Sequence, residues 1–214
     1  CACELRSVEQ VANQELDMES FIRVKGVVAP LDRSDVDTDQ IIPARYLKRL
    51  ERTGFGEFLF AAWRFHPDGS VDPEFILNRP GYQGARILVT RQNFGSGSSR
   101  EHAAWALLDY GFRALIAPSF ADIFLSNCYQ NGILPVTPPE GQVDEWIVKA
   151  MTSSDYEVTV DLVQQEIYDE EGFRVSFEID SFRRYCLMNG LDDIGLTLIH
   201  EERIASYERG HVIT

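Results

Sequence analysis

Residues 93–111 read NFGSGSSREHAAWALLDYG. Two glycines, three serines, Arg100, Glu101 and His102 run straight into an apolar helical pattern. Such letters could build a phosphate cradle, a nucleophile elbow, a capped helix or an anion site. The dinucleotide fingerprint G-x-G-x-x-G fails, because Arg100 stands where the third glycine is needed. A P-loop fails for want of a lysine, and no window fits the G-x-S-x-G elbow. Ser98 to Glu101 does satisfy the capping box S-x-x-E, which predicts Ser98 at the N-cap and Glu101 at the third helical position. Such a cap is worth only ~1 kcal/mol. Gly95 and Gly97 would let the chain turn sharply ahead of it.

The capping box gives Arg100 no role. A cation in a first helical turn is disfavoured by the helix dipole, by ~0.3–1 kcal/mol when exposed. It makes sense where an anion binds, with backbone N–H groups and a guanidinium fork sharing a carboxylate or phosphate. The same N–H groups would stabilise a serine alkoxide. His102 is turned away from Ser98 by helical geometry and has at most a supporting place. Nothing in the spacing singles out a Ser–His–Asp triad.

Around this motif, strand-like and helix-like stretches alternate. FIRVKGVVAP reads as a strand from Phe21 to Pro30, and ARILVT, RALIAPS and ILPV as three more. The stretch FADIFLSNCYQNG reads as a helix closed by Gly132. This β–loop–α–β–α–β order predicts an α/β layer with a partly parallel sheet. After TPPEGQ come a helix near VDEWIVKAM, two alternating strands YEVTVDL and FRVSFEI, and the helices DSFRRYCLMNG and EERIASYERG. A helix is also expected at ARYLKRLER. Ahead of the strands, residues 1–20 form an acidic extension in which Leu5, Val8, Val11, Ala12 and Leu16 recur at helical spacing. The organisation expected is this extension followed by one domain over residues 21–214, ending in a helix–hairpin–helix elaboration. Asp32, Asp35, Asp37 and Asp39 crowd the loop LDRSDVDTDQIIP. They resemble a calcium loop only in spacing, because the glycine at position six and the glutamate at position twelve are missing.

The net charge of −14, from 34 acidic against 20 basic residues, argues against nucleic acid and anionic membrane as partners. An anionic substrate would need a local site built from arginine. No run of 18 apolar residues exists, so no membrane span is expected. Cys1, Cys3, Cys128 and Cys186 form no CxxC pair and fit neither a zinc nor an iron–sulfur spacing. Reduced cytosolic thiols are expected, with Cys128 as buried packing. The chain opens on cysteine, which suggests processing or a fragment.

The stretch GSGSSREHAAWALLDYGFRALIAPSFADIF, with PLDRSDVDTDQIIPARYLKR, TGFGEFLFAAWRF and RRYCLMNGLDDIGLTL, resembles the swivelling domain of aconitase-type hydro-lyases. The resemblance is strongest to the small subunits of 3-isopropylmalate dehydratases and runs over residues 21–207. It implies an α/β swivelling domain of β/β/α three-layer form, with a mixed, partly parallel sheet. It implies the interconversion of 2- and 3-isopropylmalate by dehydration and rehydration in leucine biosynthesis, in the cytoplasm or, for a processed eukaryotic chain, in an organelle. A 4Fe-4S cluster would sit on a large partner subunit in a heterodimer or higher hetero-oligomer, with no metal in this chain. By motif match Ser98 would be the catalytic base, and Ser99 and Arg100 would bind the carboxylate of a small dicarboxylate substrate. Asp39 would orient them, with Glu101 and His102 in support. Arg45, Tyr46, Leu47 and Lys48 lie where the family selects the substrate side chain. Alternatives are a related hydro-lyase acting on homoaconitate, citraconate or dimethylmalate, a domain of a fused enzyme, or a non-catalytic anion-binding module.

Overall fold

The computed structural model describes residues 18–47 and 53–210. The helix expected between Leu5 and Leu16, Lys48 and the rest of the ARYLKRLER helix through Arg52 lie outside the described residues. In chain order the elements are β1 (Arg23–Leu31), two short helices α1 (Thr38–Ile41) and α2 (Ala61–Arg64), β2 (Ile87–Thr90), α3 (Glu101–Tyr110) and β3 (Ala114–Ile116). Then follow α4 (Asp122–Gln130), β4 (Leu134–Val136), α5 (Glu140–Thr152), β5 (Glu157–Asp161), β6 (Glu166–Tyr168), β7 (Arg174–Ser176), α6 (Ser181–Asn189), α7 (Asp193–Leu198) and α8 (Glu201–Gly210).

The strands form one mixed sheet in the order β4-β3-β2-β1-β5-β6-β7. β1 to β4 pair in parallel and β5 to β7 continue antiparallel. β1 is the shared strand, and its sequence shows both environments. Residues 23–26 alternate exposed and buried where they pair with β5, whereas residues 28–31 are buried throughout where they pair with β2. That is the contrast between a half-solvated antiparallel strand and a parallel strand covered on both faces. Pro30 is tolerated inside β1 because its nitrogen faces the β5 side. Val28 donates to Tyr156 O at 2.9 Å, and two residues later β5 has no partner to offer.

Side-chain alternation sends the parallel strands into two cores. Ala29, Leu31, Leu88 and Leu115 pack under α3 and α4 with Ala103, Leu107, Phe124 and Cys128. Val28, Ile87, Val89, Ala114 and Ile116 point the other way, into one cluster with α5 (Trp146, Ile147) and the antiparallel strands (Val158, Val160, Ile167). The parallel layer therefore lies between helices and the antiparallel end of its own sheet, as the α/β expectation requires. Three local readings change. The two C-terminal strands are a three-stranded meander, because β6 is only three residues long and buries only Ile167. α7 has too few residues to show a period, and its N-cap is Asp192, whose side chain accepts from Gly195 N at 2.6 Å. In the expected ARYLKRLER helix, the described part is a 3-10 turn at Ala44–Tyr46.

Candidate functional site

The carboxyl ends of β1, β2 and β3 feed loops that are tied to one another. Gly95 and Ser96 both donate to Val36 O, at 2.8 and 3.2 Å, and Ala121 donates to Phe94 O at 3.0 Å. Thr38 donates its N–H to Ser96 O at 2.9 Å and its hydroxyl to Ser98 O at 2.8 Å. A crevice outside the carboxyl ends of parallel strands is where open α/β sheets bind ligands. The crowded aspartates each have separate work. Asp32 pairs with Arg91, and Asp35 accepts from Asn93 Nδ2. Asp37 caps α1, and Asp39 faces Arg100. Among the described residues no group of three or more His, Cys, Asp or Glu is placed to hold a metal.

The expected capping box at Ser98 is not formed. α3 begins at Glu101, its N-cap is Arg100 in extended backbone (φ −143°, ψ 105°), and no side chain caps it. Glu101 is the first helical residue, and its carboxylate accepts from Asn131 Nδ2 at 3.1 Å. The reason is tertiary: the Ser98 carbonyl is held by Thr38, which keeps the chain out of helix through Ser99 and Arg100. A capping box does exist, one loop earlier. Asp37 Oδ1 accepts from Gln40 N at 2.7 Å and Gln40 Oε1 accepts from Asp37 N at 2.9 Å. Gly95 and Gly97 do supply the turn, with φ of +79° and +86°. At Gly95 a Cβ would also lie 2.1 Å from Phe124 Cγ.

Without a side-chain cap, the entrance to α3 stays open. Among the described residues the backbone N–H groups of Ser98, Ser99, Arg100, Glu101 and His102 find no acceptor. Helix N-termini with free N–H groups are ready anion sites. They border a cavity of about 240 Å³ lined by Thr38, Ser98, Ser99 and Arg100 on one side and by Asp122 and Ile123 of α4 on the other. Ser98 and Ser99 are exposed. Two larger cavities, of about 810 and 640 Å³, are lined by neither serine nor Arg100.

Arg100, 16% exposed at its side chain, presents its fork to Asp39. Nη2 donates to Oδ2 at 2.8 Å, and Nη1 faces Oδ1. The hydrogen bond from Arg100 holds Asp39 below its ordinary carboxylate value, and the same bond raises the guanidinium. Asp39 Oδ1 also accepts from Ala44 N at 3.2 Å, joining Arg100 to the next loop. In that loop Arg45 is exposed, with its guanidinium 4.8 Å from the Tyr46 ring centroid. Tyr46 stacks on Phe58 at 4.1 Å, and Leu47 packs on the helical-face core. None of these three lines the cavity beside Ser98; Asp39 is their link to it. Lys48 is outside the described residues. His102 lies apart from Ser98's cavity, edge-on to Phe55 at 5.3 Å and 4.5 Å from Trp105, and burial lowers its pKa. Cys128 is fully buried, and burial pushes its thiol well up; Cys186 is half-buried on α6. These thiols do not fit the ligation of a 4Fe-4S cluster by the described part of this chain. Thr38 is the site residue that sequence reasoning passed over. Its only signal was a polar residue between two flagged aspartates.

Comparison with known proteins bears on this geometry. The family model of the aconitase C-terminal domain matches residues 18–141, and the LeuD_N model matches residues 144–181. The family model of the C-terminal domain of 3-isopropylmalate dehydratase small subunits matches residues 193–212. A 3-isopropylmalate dehydratase small subunit of Brevibacillus brevis is 59% identical over 191 residues, covering 89% of this chain and 98% of that one. One of Rhodopirellula baltica is 58% identical over 192 residues, covering 89% and 98%. A crystal structure of 3-isopropylmalate dehydratase from Methanocaldococcus jannaschii matches with a TM-score of 0.63 at 25% identity, covering 88% of this chain and 99% of that one.

Proposed function

We propose, from the premise that the chain belongs to the family of 3-isopropylmalate dehydratase small subunits, that it supplies the base and a carboxylate site for interconverting 2- and 3-isopropylmalate. The observation that carries the reading is the uncapped N-terminus of α3, where Ser98, Ser99 and Arg100 meet five backbone N–H groups that have no acceptor among the described residues. A serine hydroxyl alone is far too weak an acid to work as a base. Preorganised donors aimed at its oxygen lower that barrier, and the Arg100 guanidinium adds positive charge. In dehydration Ser98 Oγ takes the proton from the carbon next to the one bearing the hydroxyl. The C–H electron pair becomes the new C=C bond, and the hydroxyl departs with the C–O electron pair; with the proton now on Ser98 Oγ this amounts to the net loss of water. Adding water back with the positions exchanged gives the isomer. Ser99 and Arg100 hold a carboxylate throughout, and Asp39 keeps the guanidinium fork aimed when substrate is away.

The Lewis-acid chemistry at the departing hydroxyl belongs, in this reading, to a 4Fe-4S cluster on a large partner subunit. The exposure of Ser98 and Ser99, beside a cavity of only about 240 Å³, supports a site closed by that partner. Tyr46 and Leu47, apolar and joined to Arg100 through Asp39, are assigned to the substrate's isopropyl group. The enzyme is read as cytoplasmic; no helix among the described residues is long and apolar enough to cross a membrane. The test is Ser98→Ala, co-expressed with the large subunit and assayed anaerobically for isopropylmalate interconversion. Pairing of the two subunits should persist while turnover is abolished. Near-wild-type turnover would overturn the assignment.

A further inference from the structure

We propose that Thr38 is a positioning residue that sets the direction of the Ser98 hydroxyl, an inference that rests on reading Ser98 as the base. The carbonyls on either side of Gly97 are both held by this one residue: Ser96 O accepts the Thr38 N–H at 2.9 Å, and Ser98 O accepts the Thr38 hydroxyl at 2.8 Å. Gly97 is the loosest point of the loop. Its φ is +86°, and a Cβ there would meet nothing nearer than Asp37 Cβ at 3.4 Å. Glycine has more backbone freedom to lose than any other residue, so an unpinned Gly97 would let Ser98 swing. Thr38 removes that freedom from both sides.

Thr38 is itself well fixed. It is 2% exposed and is the first residue of α1, inside the Asp37–Gln40 capping box. Its β-branched side chain is restricted at χ1, so few rotamers compete with the one that presents the hydroxyl to Ser98 O. The peptide after Ser98 is planar and trans. Pinning the Ser98 carbonyl therefore also sets the Ser99 N–H, on the opposite edge of the same plane. One buried hydroxyl thus orients both the base and a donor for a bound anion. It touches no reacting atom.

The experiment compares Thr38→Val and Thr38→Ser in the enzyme reconstituted with its large subunit, with Ser98→Ala alongside. Valine keeps the shape and removes the donor; serine keeps the donor. Displacing a catalytic group by about 1 Å costs on the order of 10²-fold. Thr38→Val should therefore lower kcat by roughly that factor, with a smaller rise in KM from the loosened Ser99 N–H, and Thr38→Ser should restore most of both. A wild-type kcat in Thr38→Val while Ser98→Ala is dead would overturn the role of Thr38 and leave the serine base standing. An active Ser98→Ala would instead overturn the reading beneath it. A loss in Thr38→Ser as large as that in Thr38→Val would show that the hydroxyl is not what holds the loop, and would also overturn the proposal. If Thr38→Val does not fold, Thr38→Ala carries the same comparison, and an unmoved Ser98 carbonyl in its crystal structure would count against the clamp.

Discussion

Replacing Arg100 by lysine keeps the charge and removes the fork, which separates two reasons for an arginine at this position. The first is structural. Arg100 sits at the positive end of α3, where a cation costs ~0.3–1 kcal/mol. Its pair with Asp39 offsets that cost. Asp39 is 55% exposed, so solvent screening keeps the pair in the surface range of ~0–1 kcal/mol. The two effects nearly cancel, and Arg100→Lys should change stability by no more than about 1 kcal/mol, or a melting shift of about 2–4 °C for a chain of this size. The second reason is the proposed contact to substrate. A bidentate contact to a substrate carboxylate in a site closed by a partner is worth about 1.5–3 kcal/mol, and lysine cannot reproduce its two parallel bonds. At 1.36 kcal/mol per decade, that is a loss of roughly 10- to 150-fold in kcat/KM. The measurements are steady-state kinetics of the reconstituted enzyme and thermal unfolding of the isolated chain. A variant that melts far lower yet keeps wild-type kcat/KM would refute the functional role and leave Arg100 as a strut for α1 and α3.

Gly95→Ala should cost roughly 1–3 kcal/mol from its left-handed backbone alone, with the Phe124 clash added, since a Cβ there would sit 2.1 Å from the ring. Gly97→Ala should cost less, because its nearest contact is 3.4 Å, and equal denaturation midpoints for the two would contradict the packing account. Asp39 should titrate below its ordinary 3.8 because Arg100 donates to it. Its contribution is then complete above pH 3.8 and is lost as pH falls through the lower folded value. A carboxyl NMR titration in Arg100→Met should show that value moving up, and no movement would remove Arg100 as the cause.

Local rules reached much of this protein. The β-branched runs at 23–31 and 87–90 are strands, and the amphipathic stretches at 122–130 and 140–152 are helices. Gly95 and Gly97 adopt the backbone their placement suggested. What local rules could not reach was set by partners distant in the chain. Ser98 is held by a threonine 60 residues away, and Arg100 by an aspartate 61 residues away. The motif S-x-x-E describes a helix start that answers only to itself, whereas this one answers to α1. β6 and α7 escaped for a different reason: three and six residues are too few to display a period.

The missing cap at α3 has a tertiary cause. α1 has a complete capping box at Asp37 and Gln40, and α6 and α7 are capped by Asp180 and Asp192. α3 has two serines within three residues of its start and uses neither, forgoing about 1 kcal/mol that a serine cap ordinarily contributes. α2, α4 and α5 also start without a side-chain cap, so what sets α3 apart is not the missing cap but the Ser98 carbonyl held by Thr38. Here the declined bond would have filled an N–H group with Ser98's own oxygen and turned that oxygen toward its helix. Thr38 prevents this by holding the Ser98 carbonyl outside the helix. The hydroxyl then stays free for a proton, and the N–H groups stay free for negative charge. On the proposed role of Ser98, capping and catalysis compete for one oxygen, and the contact that decides between them comes from the loop after β1.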